Sequence, residues 1–336
     1  MFKCRFSYSG RLIRGTEHLK GKDLVEYVNK AQKLFTARLS PRFANVPDDI
    51  KRRIMGSLHV AVPAKYRANE KRHDDIDDSI IPSSFDARNS WSECPSLHSI
   101  RDQSNCGSCW AVAAAAAITD RICIASKGNT SVTISADDLL SCCTDCGFGV
   151  TVSLQTGCKP YPFPPCEHHI KPVHYKQCQG ELYPTNACER SCQEGYAVPY
   201  EEDKHYGSSS YAVAADVATI QKEIMLHGPV EASFEVYGDF VHYSSGIYRL
   251  TGGDILGGHA VKMIGWGTEN GVDYWLCANS WNTDWGENGK PSSPPSRISP
   301  RFLFTHENIR NPRFFRIRRG TDECGIESGV VAGLPK

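Results

Sequence analysis

The stretch Gln103-Ser104-Asn105-Cys106-Gly107-Ser108-Cys109-Trp110 runs straight into an alanine-rich segment, residues 111–118. It reads as a tight loop feeding a helix whose first residue is a cysteine. Unpaired backbone N–H groups and the helix dipole favour negative charge there, so a thiol at that position is expected to be partly thiolate at neutral pH. Gly107 lets backbone approach closely, as a nucleophile requires if its substrate is a peptide. The competing reading is a disulfide loop capping a core helix. Nucleophilic chemistry further needs a base, a group that orients the base, and donors for an oxyanion. Gly257-Gly258-His259-Ala260 lies just before a predicted strand, with room around the imidazole. Asn279-Ser280-Trp281 lies at the end of the next, where an amide could hold the ring tautomer and an indole could keep water from that bond.

The elements that must position these groups divide along the chain. Residues 22–38 carry a helical stripe at Leu24, Val25, Val28, Ala31, Leu34 and Phe35, and a weaker helix is expected over 48–55. The charged run 69–78, with Asp74, Asp75, Asp77 and Asp78, reads as an exposed linker. The helix after Cys109 is expected to reach Ile124. After a turn at residues 127–129, Ser135 caps a short helix over 136–140. Residues 142–200 are loop-like and rich in cysteine, proline and glycine. A helix over 217–227, stopped by Gly228-Pro229, then gives way to strands at 230–236, 261–266, 273–278 and 314–319. Helices first and strands later predict an α+β protein of two lobes, with the site at their seam.

The formal net charge of zero gives no electrostatic reason to expect nucleic acid or an anionic membrane as a partner. No apolar run reaches spanning length. Fifteen cysteines, crowded between Cys94 and Cys192, suggest a disulfide framework made in an oxidising compartment. Zinc is the rival, but Cys142-Cys143 and Cys146 lack the regular paired spacing of zinc modules. The first residues, Met1-Phe2-Lys3-Cys4-Arg5, do not read as a signal peptide. Asn129-Thr130-Ser131 is a glycosylation sequon.

The octet ending at Trp110, with the His259 and Asn279 motifs following in that order, resembles the papain family of cysteine peptidases, and its cathepsin B branch, nematode-type members above all. The family places His and Asn about 130–150 residues after the cysteine, and this chain falls near or slightly beyond that window. The resemblance runs from about Lys22 to Pro335. It implies a papain-like fold with a helical left lobe (about 81–200) and an antiparallel, β-barrel-like right lobe (about 201–336). Residues 1–80 would be an N-terminal segment and pro-region that lies along the active cleft until removed. Cys109 would be the nucleophile, His259 its base, Asn279 the orienting group, and Gln103 an oxyanion donor with the Cys109 N–H. Gly107, Ser108, Gly258, Trp281 and Gly329 would line the substrate site. Pro164-Pro165-Cys166-Glu167-His168-His169 looks like that branch's occluding loop, whose histidines hold a peptide C-terminus and confer peptidyl-dipeptidase activity. The implied disulfides are Cys94–Cys123, Cys142–Cys188, Cys143–Cys146, Cys158–Cys192 and Cys166–Cys178. Partners would be protein and peptide substrates, the pro-region and cystatin-type inhibitors, acting on a monomer that is lysosomal or extracellular. No cofactor and no metal are expected.

Two stretches depart from the family. After Gly149 the chain lacks a cysteine that would pair with Cys106, two substrate-binding glycines and a helix. Residues 290–313 match nothing in the family and read as a proline-rich inserted loop. Skipping of one exon and retention of one intron would produce this pattern. A catalytically impaired product, or a disulfide-rich binding protein, is the alternative outcome. Gly329 stands where the branch often has an acid, so apolar or aromatic side chains are expected in the second subsite.

Overall fold

A computed structural model describes residues 15–44, 46–57, 61–62, 64, 67–143, 157–166, 181–282, 285–287 and 314–336. The helices are α1 (Gly21–Ala31), α2 (Pro41–Ala44), α3 (Asp48–Ile54), α4 (Ala87–Ser90), α5 (Cys109–Ala125), α6 (Ala136–Cys142) and α7 (Val217–His227). The strands are β1 (Phe35–Ala37), β2 (Phe85–Asp86), β3 (Gly207–Ala212), β4 (Val230–Tyr237), β5 (Tyr243–Tyr248), β6 (Ile255–Glu269), β7 (Val272–Ala278), β8 (Phe314–Arg318) and β9 (Val330–Pro335). Among the described residues no helix is long and apolar enough to cross a membrane.

The strands form one sheet in the order β1-β5-β8-β7-β6-β4-β9-β3, with β2 added on β6. Pairing is antiparallel except between β5 and β8, which run parallel. This is the α+β arrangement expected, with α5 packed across β6, β4 and β9. The alanines of α5 let its backbone come close to the sheet, and the helix is buried along most of its length. Two buried ion pairs hold it there: Lys262 Nζ on β6 to Asp120 at 2.6 Å, and Arg121 to Glu223 on α7 at 2.8 Å. Breaking such a pair from one side leaves a charge uncompensated, at about 3–5 kcal/mol. They fix the helix that starts at Cys109 against the strand that carries His259.

Capping follows the sequence. Ser135 accepts from the Asp138 N–H at the start of α6, and Asp216 accepts from Thr219 at the start of α7. Gly228, at φ 94°, ends α7. Cys94–Cys123, Cys142–Cys188 and Cys158–Cys192 are bonded as expected. Cys143 and Cys166 are disulfide-bonded too, but Cys146 and Cys178, their expected partners, lie outside the described residues. So do the segment after Gly149 and the insertion 290–313.

The first expected helix ends earlier than its stripe. α1 stops at Ala31, and Phe35 belongs to β1, antiparallel to β5. Gln32 is extended at φ −147°, and its side-chain oxygen accepts from the N–H groups of Leu34 (2.7 Å) and Phe35 (3.0 Å). These local bonds redirect the chain, and Phe35 is buried by sheet pairing instead of by the helix. The run 69–78 is mostly exposed, but it is anchored: His73 is buried against Glu223, and Lys222 Nζ donates to the His73 carbonyl. The largest apolar core joins sheet residues Phe234, Phe240, Trp275 and Phe315 to Leu24, Val28, Phe35, Phe43 and Ile54 from the first part of the chain.

Candidate active site

Cys109 opens α5 and is fully buried. His259 lies inside β6, not ahead of it, because the strand begins at Ile255 and tolerates Gly257 and Gly258. Its Nε2 is 2.8 Å from Asn279 Oδ1, just past the end of β7. The Trp281 ring lies 4.9 Å from the imidazole and is itself fully buried, so it screens that hydrogen bond. Ala260, next in sequence to His259, packs with Cys109 in one small buried cluster. Helix and strand therefore bring the thiol and the imidazole-bearing residue together.

In this state burial disfavours charge on both groups. Burial pushes the Cys109 thiol up to about 11, against the pull of the Ala260 and Gly56 N–H groups. Burial pushes His259 down to about 4, opposed by its bond to Asn279. Its Nδ1 is buried with no hydrogen-bond partner among the described residues. Removal of solvent works against the thiolate that the helix N-terminus favours.

The chain before residue 80 contributes to that cover. Gln103 Nε2 donates to the Ile54 carbonyl at 3.0 Å and to the Cys106 carbonyl at 2.7 Å. Gly56 presses on the Cys109 loop so closely that a Cβ built on it would sit 1.7 Å from the Gly107 carbonyl oxygen. The Ser57 N–H donates to the Gly258 carbonyl at 3.0 Å, and Ser57 Oγ meets Ser233 Oγ at 3.2 Å. Farther along, the Val62 N–H and Arg67 reach the Ser328 carbonyl, beside Gly329. Phe43 packs on Trp281 at 5.1 Å, and Arg42 donates to the Ser104 carbonyl at 2.8 Å. The expected substrate-site residues Gly107, Gly258, Trp281 and the surroundings of Gly329 are therefore covered by this chain's own N-terminal part. Ser108 faces elsewhere, with its Oγ 2.6 Å from Tyr161 OH. His168 and His169 lie outside the described residues.

Two positioning residues escaped the reading of the sequence. Ser280 Oγ donates to Gln103 Oε1 at 2.6 Å, which turns the amide so that Nε2 faces the cleft. Tyr161 OH donates to the Gln103 carbonyl at 2.9 Å and braces the loop through Ser108. Ser280 sits inside the Asn279–Trp281 motif and could have been weighed there, whereas Tyr161 carried no local signal. Cys106 is free and buried. Burial raises its thiol pKa, against the influence of the neighbouring Ser108 and Tyr161 hydroxyls.

Residues 81–290 match the papain family cysteine protease family. The chain is 50% identical over 343 aligned positions to cathepsin B-like cysteine proteinase 6 of Caenorhabditis elegans, covering 95% of this chain and 84% of that one. It is 44% identical to the cathepsin B-like cysteine proteinase of Schistosoma japonicum, covering 94% and 90%. Among solved structures, procathepsin B S9 from Trypanosoma congolense superposes with a TM-score of 0.72 at 31% identity, covering 94% of this chain and 98% of that one. That likeness includes the segment over the cleft, which supports its reading as an inhibitory pro-region. With Cys109 heading α5 opposite His259 and Asn279, and an N-terminal segment lying across them, the chain belongs to the papain family of cysteine proteases and is a cathepsin B-like cysteine peptidase.

Proposed function

We propose that this chain is a zymogen which, freed of residues before about 80, hydrolyses peptide bonds through Cys109 and His259 and also removes dipeptides from C-termini. The observation that carries the reading is the Ile54 carbonyl on Gln103 Nε2. A backbone carbonyl already occupies the donor that a substrate's oxyanion would use. With the pro-segment gone and water admitted, the desolvation that disfavours charge on both groups is relieved. The thiol proton then passes to the imidazole.

Cys109 Sγ attacks the carbonyl carbon, and the oxygen takes the charge between Gln103 Nε2–H and the Cys109 N–H. His259 gives its proton to the leaving amine, which leaves a thioester. It then takes a proton from the incoming water, and collapse of the second tetrahedral species restores the thiol. Asn279 Oδ1 accepts from Nε2–H throughout and keeps Nδ1 for the sulfur. His168 and His169, protonated at acidic pH, would hold the carboxylate of a bound peptide. An acidic oxidising compartment, lysosomal or extracellular, suits this chemistry and the disulfides. Cystatin-type inhibitors would compete with the pro-segment for the same cleft.

After acid processing, a thiol-reactive epoxide should label Cys109 in a peptide map and abolish peptide cleavage. Cleavage surviving in Cys109→Ala refutes the mechanism. Loss of dipeptide release from free C-termini in a His168→Ala, His169→Ala double variant, with internal cleavage kept, tests the exopeptidase mode. Equal release by the parent and the double variant refutes that mode.

A further inference from the structure

Away from the cleft, three metal-ligating side chains converge where the linker meets α7. His73 Nε2 is 2.7 Å from Glu223 Oε2. Ligand atoms of His73, Glu223 and His227 all lie within 4.8 Å of one another. Glu223 and His227 are four apart on α7 and so share one helix face. His73 comes from the linker. His73 and Glu223 are buried, and His227 is half-buried and gives solvent a way in.

The linker is held in an unusual posture to achieve this. His73 has φ 55°, in the left-handed region that a non-glycine residue rarely adopts. Lys222 Nζ holds the carbonyls of His73 and Ile76, and Thr219 Oγ1 donates to the Arg72 carbonyl. The carboxylate is oriented from behind: Arg121 and Tyr211 OH both reach Oε1 at 2.8 Å, leaving Oε2 for a ligand. Outer partners of that kind commonly fix a ligating carboxylate.

We propose that His73, Glu223 and His227 form a transition-metal site, of the class zinc occupies, that clamps the linker to α7 in the zymogen. Two imidazoles and one carboxylate suit zinc and its neighbours in the transition series, not calcium or magnesium. The nearby cations Arg121, Lys222 and Lys71 also disfavour a hard ion held by charge alone. Tetrahedral ligation at about 2.0–2.1 Å per bond needs ligand atoms about 3.3 Å apart. The His73–Glu223 pair must therefore open by about half an ångström as the shared proton leaves. A solvent molecule completes the shell on the His227 side. The site departs from the sequence reading, which expected no metal, because His73 is distant in sequence from α7. The clamp rests on residues before 80 being a pro-region, but the site itself does not depend on catalysis.

The test uses the full chain carrying Cys109→Ala, which cannot process itself. Cobalt(II) should bind at one equivalent, with visible ligand-field absorption and no near-ultraviolet thiolate band. His73→Asn and His227→Asn should each weaken binding at least about tenfold. Zinc at about ten times its Kd should slow tryptic cutting after Arg72 about tenfold relative to chelator, because only the detached linker is cut and metal binds the attached one. His227→Asn should remove that protection. Absence of stoichiometric binding, binding that survives either substitution, a thiolate band, or cutting indifferent to zinc would each overturn the proposal. Because no arm reads peptidase activity, a negative result here leaves the Cys109 mechanism standing, and the reverse holds.

Discussion

Replacing His242 by Gln should uncouple pro-segment release from acid. His242 lies just ahead of β5, 3% exposed, and its Nδ1 accepts from the Ser40 N–H at 3.2 Å. Its carbonyl accepts from the Arg38 N–H at 2.7 Å. Accepting at Nδ1 requires the neutral ring. Burial, with Lys51 nearby, pushes its pKa from 6.5 to about 4. Lys51 is paired with Asp48 at 3.0 Å, and Glu17, Lys20 and Asp254 line the same recess. A base whose pKa is depressed on docking supports docking fully above its free value. That support is lost as pH falls from 6.5 towards 4.

If release of the pro-segment returns His242 to 6.5, the shift corresponds to about 3 kcal/mol in all, at about 1.4 kcal/mol per pH unit. Between pH 7 and pH 5 it amounts to about 2 kcal/mol, or about a 20-fold rise in the released fraction. Gln offers Ser40 an oxygen that does not titrate. The ratio of autoprocessing rates, parent over His242→Gln, should therefore climb about 20-fold from pH 7 to pH 5 and level off below pH 4. Taking the ratio cancels the ionisation of the catalytic pair, which both proteins share. Parallel pH profiles would refute the reasoning, since they would mean that the proton goes elsewhere.

Three further outcomes are expected. Gly56→Ala places a methyl group inside the Gly107 carbonyl. Overpacking of that kind costs about 1–3 kcal/mol, so the unprocessed chain should cleave a peptide at neutral pH about 5–150 times faster than its parent. Gln103→Ala in the processed enzyme should lower kcat about 10²–10³-fold with little change in KM, as read by steady-state kinetics. In a fluorogenic series, Phe-Arg and Val-Arg substrates should exceed Arg-Arg, and Gly329→Glu should raise Arg-Arg turnover selectively; a parent that prefers Arg-Arg contradicts the role given to Gly329.

The parts of the molecule that could be read from the chain are those fixed by local rules. α7 and its glycine stop, the Ser135 cap and the core of β4 follow from periodicity and capping chemistry. So does the start of α5 at Cys109. What could not be read depends on partners distant in sequence. β1, β3, β5 and β9 are short or irregular segments that become strands only by lying beside others. The imidazole bond to Asn279 was legible because three motifs in a fixed order constrain one another. At Cys109 two effects compete: a helix start favours a thiolate, burial with residues 54–57 packed close by opposes it, and nothing near Cys109 in sequence reports that cover.

The pairing of β1 with β5 reaches beyond the cleft. Phe35 and Thr36 lie opposite Gly246 and Ser245 at one margin of the sheet. Under the maturation proposed above, cleavage in the linker would remove that strand together with the segment over Cys109. The mature molecule would then present the unpaired backbone of β5 to whatever it meets next. Three residues of pairing and a break in register between Thr36 and Ala37 make this a short and poorly matched template. Such an edge can be uncovered on maturation without inviting chain-to-chain assembly.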